Sequence, residues 1–352
     1  MPQKGATFLI LNDMSERDEQ HERMGCSGDR RRGIPAVKII GAFALAIGLT
    51  MKITQVHALE VPGPLVEPQW LQAHLNDPHL MIIDVRDDAQ NFYKTGHIPG
   101  ARLWDMADKL NLVDLSGRVK NLPDSRDVTE TMQKLGVNNG DAIVITTNGA
   151  NSGDITFGTR AYWTVKYFGH NNVALLNGGT SHWANKDYPL SREQSSQRMG
   201  NFLTGQTMKG LIIPTAEMKN IVNGKTALPV DFRSTEVYSG EKKQPFVKAY
   251  GHIPGAVNLP VSTLFKVNAG YNQEFPTYLT FRSPQEIKML ATESGINLAT
   301  PLVAYCDSGH LSSGGLFAFR ELLQDGKMRF YPGSLQAWAD ANLPAVRSAS
   351  KK

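Results

Sequence analysis

Cysteine is scarce in this chain. The 352 residues contain only two, Cys26 and Cys306. Cys26 lies within a segment that we expect to be removed, so the mature protein is expected to keep a single thiol. Because one thiol cannot form an internal disulfide, the disulfide framework of a small secreted domain is excluded.

Long apolar runs and basic tracts are missing from residues 59–352. No apolar stretch there approaches the ~20 residues that cross a bilayer, and no basic tract indicates a nucleic-acid partner. The nine histidines are scattered without ligand spacing, so neither a metal nor another cofactor is predicted. With 41% hydrophobic and 20% charged residues, the chain is long enough for two globular domains with a core each.

The N-terminus has the pattern of an export signal over residues 1–58. Three arginines, Arg30 to Arg32, precede an apolar stretch at residues 39–49. Val56-His57-Ala58 then offers small residues at the two positions that a signal peptidase reads. We expect cleavage near Ala58 and a periplasmic or secreted protein with no stable membrane span. An uncleaved membrane anchor is the alternative.

Three blocks of sequence occur twice in the same order. The hexapeptide Gly-His-Ile-Pro-Gly-Ala begins at Gly96 and again at Gly251, an offset of 155 residues. An Asp-x-Arg pair precedes each hexapeptide, and a glycine-led block ending in tryptophan follows it. These residues are Asp84, Arg86 and Trp183 in the first copy and Asp231, Arg233 and Trp338 in the second. The order predicts a domain duplication, with domains at 59–194 and 213–347 and a linker at 195–212.

Each copy alternates short apolar runs with amphipathic helical patterns. This alternation favours an α/β fold with a mostly parallel sheet flanked by helices. Predicted strands lie at 80–84, 142–146, 173–176, 230–232, 302–305 and 328–331, and predicted helices at 154–168 and 316–323.

Cys306 stands between the predicted strand at 302–305 and a polar loop, Asp307-Ser308-Gly309-His310-Leu311-Ser312. A thiol at this place is next to backbone N–H groups and to the positive end of a helix dipole, which stabilise a sulfur anion. Cys306 is therefore predicted to be a nucleophile that forms a covalent intermediate. A small buried hydrophobic residue is the alternative. The first copy has no cysteine after its strand at 142–146, so it is predicted to be inactive.

Together these motifs resemble the rhodanese superfamily, and two copies in tandem resemble thiosulfate and 3-mercaptopyruvate sulfurtransferases. The resemblance covers roughly residues 60–346. It implies an enzyme that moves a sulfane sulfur from a small-molecule donor to a thiophilic acceptor through a persulfide on Cys306. It also implies an inactive first domain and a catalytic second one. The alternative is a non-catalytic secreted binding protein that kept the fold.

The resemblance implies roles for the residues around the cysteine. Ser308 matches a serine that helps to relay a proton in mercaptopyruvate-type loops, or it is an ordinary loop hydroxyl. Gly309 is expected to let the backbone turn, and His310 either contacts an anionic substrate or is solvated. Ser312 and Ser313 are expected to cap the following helix.

Two residues outside the loop complete the predicted site. His97 is a possible relay, since the first-domain histidine of this motif reaches the second-domain loop in mercaptopyruvate-type enzymes; a turn histidine bonded to backbone is the alternative. Arg233 either contacts the substrate anion or forms a structural ion pair with Asp231.

Asp307 and Leu311 depart from the family pattern, because thiosulfate-type loops usually carry basic residues just after the cysteine and many bacterial relatives have arginine near the end of the loop. A doubly charged thiosulfate would meet a carboxylate and few cations. The reaction class is therefore predicted, and the sulfur donor is left open.

Overall fold

The computed structural model describes residues 58–86, 88–105, 123–194 and 198–348. The predicted export signal lies outside these residues apart from Ala58, and so does Cys26. These described residues form one compact unit, so both halves of the duplication belong to it. Within the described ranges, no helix combines the length and apolar character that a membrane crossing requires.

The first half is built on a five-stranded sheet in which all neighbouring strands are parallel. The strands are β1 (Leu65–Val66), β2 (Leu80–Arg86), β3 (Arg102–Asp105), β4 (Ala142–Thr146) and β5 (Val173–Leu176), in the spatial order β1-β5-β4-β2-β3. Ile143 and Ile145 pack into one core cluster and Val144 into another. Both faces of β4 are therefore covered, which is why this strand is continuously apolar.

Helices connect these strands and cover the sheet. They are α1 (Pro68–His74), α2 (Ala89–Thr95), α3 (Ser125–Lys134), α4 (Ser152–Tyr167) and α5 (Gly179–Ala184). Asn151 caps α4, since its side chain accepts a hydrogen bond from the backbone N–H of Asp154.

The second half repeats this plan with an added hairpin. Its strands are β6 (Leu228–Asp231), β7 (Val257–Asn258), β8 (Phe265–Ala269), β9 (Thr277–Phe281), β10 (Leu302–Tyr305) and β11 (Met328–Phe330). The parallel sheet has the order β11-β10-β6-β7, and β8 and β9 form the antiparallel hairpin. Ile212 forms a parallel bridge to Phe330 and so stands in the place that β1 has in the first sheet.

The helices of the second half follow the same scheme. They are α6 (Thr215–Gly224), α7 (Thr235–Ser239), α8 (Pro284–Glu293), α9 (His310–Phe317) and α10 (Ser334–Asp340), with a 3₁₀ turn at Val261–Leu264 and a π-helical turn at Ala318–Leu322. The predicted class, an α/β fold with two mostly parallel sheets flanked by helices, is confirmed. The domain bounds and the linker at 195–212 stay predictions.

The duplication is visible in individual contacts. The histidine of each hexapeptide forms an antiparallel bridge near the end of its own copy, and each motif tryptophan donates a 2.8 Å hydrogen bond to a proline carbonyl six residues later. The equivalent pairs, offset by 155 residues, are His97–Ser191 and His252–Val346, and Trp183–Pro189 and Trp338–Pro344.

The two halves share one hydrophobic core, in which α4 packs against α9. Gly314 allows this approach, because a Cβ there would lie 2.9 Å from Thr156 Cγ2. Gly315 allows Phe232 of the second half to pack against α9, because a Cβ there would lie 2.2 Å from Phe232 Cζ. The hydroxyls of Thr159 and Ser313 lie 2.7 Å apart across the same contact. The first half therefore buries one side of the helix that follows Cys306.

The helix after Cys306 begins earlier than predicted. It was expected to begin at residue 316, but α9 begins at His310 with Gly309 as its N-cap residue. The expected capping role of Ser312 and Ser313 is therefore wrong, since both lie inside the helix. The serines and glycines of this segment have low helix propensity, so the sequence does not predict a helix there. Packing against α4 outweighs this low propensity.

Candidate active site

Cys306 lies where β10 ends, at the carboxyl edge of the second parallel sheet. Ligands and reacting groups collect at this edge in open α/β sheets. Three residues, Asp307 to Gly309, separate the cysteine from α9, and the Cys306 side chain is 1% exposed. The thiol is thus held by a buried strand on one side and a helix start on the other.

Two hydrogen-bond donors point at the sulfur. The backbone N–H of Gly309 lies 3.0 Å from Cys306 Sγ, and the hydroxyl of Ser312 lies 3.3 Å from it. Gly309 has φ +87°, and a Cβ there would lie 2.7 Å from the Pro332 carbonyl, so only glycine fits the turn. Donors at a helix N-terminus favour negative charge on the sulfur. The prediction that backbone groups of this loop face the sulfur agrees with this geometry.

Ser334 is a site residue that the sequence reasoning missed. Its hydroxyl oxygen accepts a 3.0 Å hydrogen bond from the Cys306 N–H, donates to the Tyr331 carbonyl at 3.0 Å, and lies 4.0 Å from Cys306 Sγ. Ser334 has φ +52°, a left-handed conformation that is rare for residues with a side chain. The repeat carried a signal, because the equivalent residue of the first copy, Gly179, has φ +62°. A serine replacing a left-handed glycine only in the cysteine copy marks a functional position.

The Asp307 carboxylate pairs with Arg233. Arg233 Nη1 donates to Asp307 Oδ1 at 3.0 Å, and the same guanidinium bonds Asp231 and the Gly251 carbonyl. Burial raises the pKa of Asp307, and the attraction of Arg233 opposes that rise. The carboxylate beside the cysteine is therefore held in a buried ion-pair network.

Arg233 does not lie where a substrate anion would reach it directly. Its side chain is buried, and its contacts are with Asp231, Asp307 and the Gly251 carbonyl. The structural ion pair, which was the alternative for this residue, describes its position. Arg233 therefore holds the Asp307 carboxylate through an ion pair.

The remaining loop residues have mixed surroundings. Ser308 and His310 are half-buried, and Leu311 packs against the shared core. The His310 ring meets the Phe157 ring of α4 edge-on at 5.4 Å. Burial and the nearby positive charge of Arg160 lower the pKa of His310 to about 3, so at neutral pH this imidazole is uncharged. A neutral imidazole binds an anion by hydrogen bonding rather than by charge.

Arg160 is the second residue that sequence reasoning missed. It belongs to α4 in the first half, yet a Cβ placed on Gly309 would lie 2.9 Å from its Nη1 atom. The guanidinium carbon lies 5.2 Å from the centre of the Phe330 ring, and the side chain is 1% exposed. No sequence pattern pairs Arg160 with Cys306, because 146 residues separate them (160 to 306) and only domain packing brings them together.

His97 lies within the first half. Its ring stacks on Phe92 at 3.8 Å, its Nδ1 atom lies 3.3 Å from the Phe92 carbonyl, and its backbone pairs with Ser191. His252 has the same arrangement with Tyr238. These contacts fit the alternative of a turn histidine bonded to backbone, and they give no support to the relay role.

The counterpart of Cys306 in the first half is Thr147. The N–H of Thr180 bonds the Thr147 carbonyl at 2.8 Å, as the N–H of Leu335 bonds the Cys306 carbonyl at 3.0 Å. The helix start beyond Thr147 is occupied, because Asp154 Oδ2 accepts from the Ala150 N–H at 3.1 Å. A carboxylate thus lies where the second half places sulfur.

The added hairpin lies over this first-half site. The N–H of Leu279 in β9 donates to the Gly149 carbonyl at 3.0 Å, and the N–H of Phe281 donates to the Asn177 side chain at 3.1 Å. Tyr278 stacks on His182 with ring centres 4.5 Å apart. The first-half loop is therefore covered by a segment of the second half.

Comparison with known proteins agrees with this architecture. The family model of the rhodanese-like domain matches residues 67–186 and again residues 214–341. The chain therefore belongs to the rhodanese-like domain family, as a protein with two such domains in tandem.

Individual relatives match most of the chain. A sulfur carrier protein, TtuD of Thermus thermophilus, is 30% identical over 79% of this chain and 94% of its own length. A protein of Mycolicibacterium smegmatis, provisionally named a thiosulfate sulfurtransferase, is 29% identical over 77% of this chain and 92% of its own. Among solved structures, the 3-mercaptopyruvate sulfurtransferase SseA of Escherichia coli matches with a TM-score of 0.66 at 23% identity, covering 77% of this chain and 98% of SseA. The last match supports the fold.

Proposed function

We propose that this protein is a sulfurtransferase that carries a sulfane sulfur on Cys306. The observation that carries the proposal is the pair of hydrogen bonds that Cys306 Sγ accepts from the Gly309 N–H and the Ser312 hydroxyl at the start of α9. Membership of the rhodanese-like family and the names of the relatives support the same reaction class.

The proposed reaction has two displacement steps. The Cys306 thiolate attacks the sulfane sulfur of the donor, a sulfur–sulfur bond forms, and the leaving group departs with the electron pair of the broken bond. An acceptor nucleophile then attacks the outer sulfur of the persulfide, and Cys306 leaves again as the thiolate. The Gly309 N–H and the Ser312 hydroxyl, which bond Cys306 Sγ, can stabilise the thiolate and the persulfide anion by hydrogen bonding.

The donor is proposed to be thiosulfate or 3-mercaptopyruvate. The carboxylate of Asp307, which seemed to disfavour thiosulfate, is paired with Arg233. Arg233 partly offsets the charge of this carboxylate, so thiosulfate is kept as a candidate beside 3-mercaptopyruvate.

Intact-mass measurement tests the proposal. The protein is incubated separately with thiosulfate and with 3-mercaptopyruvate, and a gain of one sulfur atom on Cys306 is expected with at least one of them. The added sulfur should disappear on treatment with cyanide and be absent from Cys306→Ser. If neither donor adds sulfur and iodoacetamide alkylates Cys306 no faster than a model thiol, the non-catalytic binding protein is the better description.

Export is a separate proposal that rests on the N-terminal sequence. The arginines, the apolar stretch and the small residues before Leu59 support a periplasmic or secreted location. N-terminal sequencing of the protein made in its own cells should begin near Leu59. A mature chain that keeps residues 39–49 would favour the membrane anchor.

A further inference from the structure

A buried arginine from the half without the cysteine lies against the cysteine loop. Arg160 Nη1 approaches the Cα side of Gly309, the residue whose N–H bonds Cys306 Sγ. A charged group that is 1% exposed has lost its hydration, and this loss is unfavourable unless nearby groups compensate for it. The Phe330 ring, 5.2 Å from the guanidinium carbon, supplies part of the compensation through its π-face.

The positive charge of Arg160 reaches both ends of the loop. Burial lowers the pKa of Arg160 to about 10, and the negative charge of Cys306 acts in the opposite direction. The guanidinium therefore stays protonated at neutral pH. The same charge lowers the pKa of His310, at the other end of the loop.

The other charges beneath the loop do not help a sulfur anion. Arg233 is one cation shared between two carboxylates, Asp231 and Asp307. When both carboxylates are ionised, this trio carries one negative charge close to Cys306. Arg160 is a cation outside this trio, and its Nη1 atom lies beside Gly309.

We infer that Arg160 is a positioning residue through which the first domain stabilises the anion on Cys306. Its positive charge attracts the thiolate, and it also attracts the persulfide anion of the proposed function, on which this second effect rests. The first domain thus takes part in the reaction although its own loop has no cysteine.

The test is the pH dependence of alkylation of Cys306 by iodoacetamide. It is measured on the full chain carrying Cys26→Ser, so that Cys306 is the thiol observed. In Arg160→Gln and Arg160→Met the midpoint of the rate profile is expected to move up by about 1 to 2 pH units, because an opposite charge has been removed. Arg160→Met avoids a buried unpaired amide and is the variant more certain to fold. Arg160→Lys keeps the positive charge, so its midpoint should stay close to that of the native protein.

Lys166→Gln is the matched control. Lys166 also projects from α4 across the domain contact, but it pairs with Glu321 at 2.7 Å. Its loss should leave the midpoint unchanged. A folded Arg160→Met protein with an unchanged midpoint would overturn the inference, as would equal shifts in Arg160→Met and Lys166→Gln.

Alkylation requires no sulfur donor, so this test is independent of the proposed reaction. A protein that takes up no sulfur but has an Arg160-dependent midpoint would contradict the sulfurtransferase proposal and keep the charge effect on the thiolate. A protein that takes up sulfur but has an Arg160-independent midpoint would support the sulfurtransferase proposal and contradict the charge effect of Arg160.

Discussion

Ser334 holds a backbone conformation that few residues with a side chain adopt. Its φ of +52° is retained together with hydrogen bonds to the Cys306 N–H and the Tyr331 carbonyl. Strain of this kind persists where the surrounding contacts hold it, and it is common at functional sites. The bonds explain why the cysteine copy has serine where the other copy has Gly179.

Substitution of Ser334 separates the strain from the hydrogen bond. Ser334→Ala keeps the left-handed strain and leaves the buried Cys306 N–H unpaired, so the free energy of unfolding should fall by about 1 to 3 kcal/mol. Ser334→Gly loses the same bond but relieves the strain, so it should be the less destabilised variant in urea denaturation. If Ser334→Gly proves the less stable of the two, the strain argument fails.

Asp307 predicts a pH-dependent difference in stability. Burial raises its pKa in the folded protein above the ordinary value, so the folded state binds the proton more tightly than the unfolded state. The contribution of Asp307 to stability is therefore present at pH below the ordinary value and is lost as pH rises through the folded pKa. Asp307→Asn has no such loss.

The comparison is made by urea denaturation from about pH 3 to pH 7. The stability of Asp307→Asn relative to the native protein should rise with pH across the acidic part of this range and then level off. A relative stability that falls with rising pH would mean that the pairing with Arg233 outweighs burial.

At the scale of elements, the β8–β9 hairpin holds the two halves together through Asn185. The Asn185 amide donates to the Phe275 carbonyl at 2.8 Å and accepts from the N–H groups of Tyr271 and Asn272 at 2.9 and 3.1 Å. A buried amide with partners on the opposite half is a connection that few substitutions can replace.

Asn185→Ala is expected to destabilise the protein by about 2 kcal/mol in urea denaturation, because the buried Phe275 carbonyl and the partly buried N–H groups of Tyr271 and Asn272 lose their partner. Asn268→Ala is the control, since Asn268 bonds Lys266, Tyr278 and Thr280 within the hairpin alone. Its cost should be clearly smaller. Equal losses would show that the hairpin matters through its own folding and not through the contact between halves.

The element boundaries show where sequence patterns are informative. The strands at 142–146, 173–176 and 302–305 were predicted with the observed ends, because continuous apolar residues are required in a sheet covered on both faces. The start of α9 was wrong by six residues, from 316 to 310. Glycine at positions 314 and 315 serves close packing against α4 and Phe232, and a local propensity cannot report such a contact.

At the scale of the whole molecule, the two halves differ most at their helix starts. The start of α4 is satisfied by Asn151 and Asp154, whereas the N–H of Gly309 at the start of α9 faces sulfur. The hairpin also covers the first-half loop at Gly149. A thiol alone would therefore not make the first half reactive.

Moving the cysteine tests this asymmetry. The double variant Thr147→Cys, Cys306→Ser should take up no sulfur from either donor, and its thiol should react slowly with iodoacetamide, since a carboxylate occupies the helix start and the hairpin covers the loop. The measurement is intact mass after incubation, with the single variant Cys306→Ser as reference. Sulfur uptake on residue 147 would show that a cysteine placed directly after the strand can carry sulfur without the surroundings of Cys306.

The sequence by itself determined the duplication, the parallel α/β class and the choice of Cys306, because repeated motifs and apolar runs are local properties of the chain. It also identified Gly309, whose neighbours along the chain set its turn. The partners of the sulfur and of the loop were decided by tertiary structure. Ser334 and Arg160 reach the loop from 28 residues later and 146 residues earlier (306 to 334 and 160 to 306), and only the packing of α10 and α4 around β10 brings them there. Charge acts through space rather than along the chain, so the sequence could not show that a cation of the domain without the cysteine lies beside the loop.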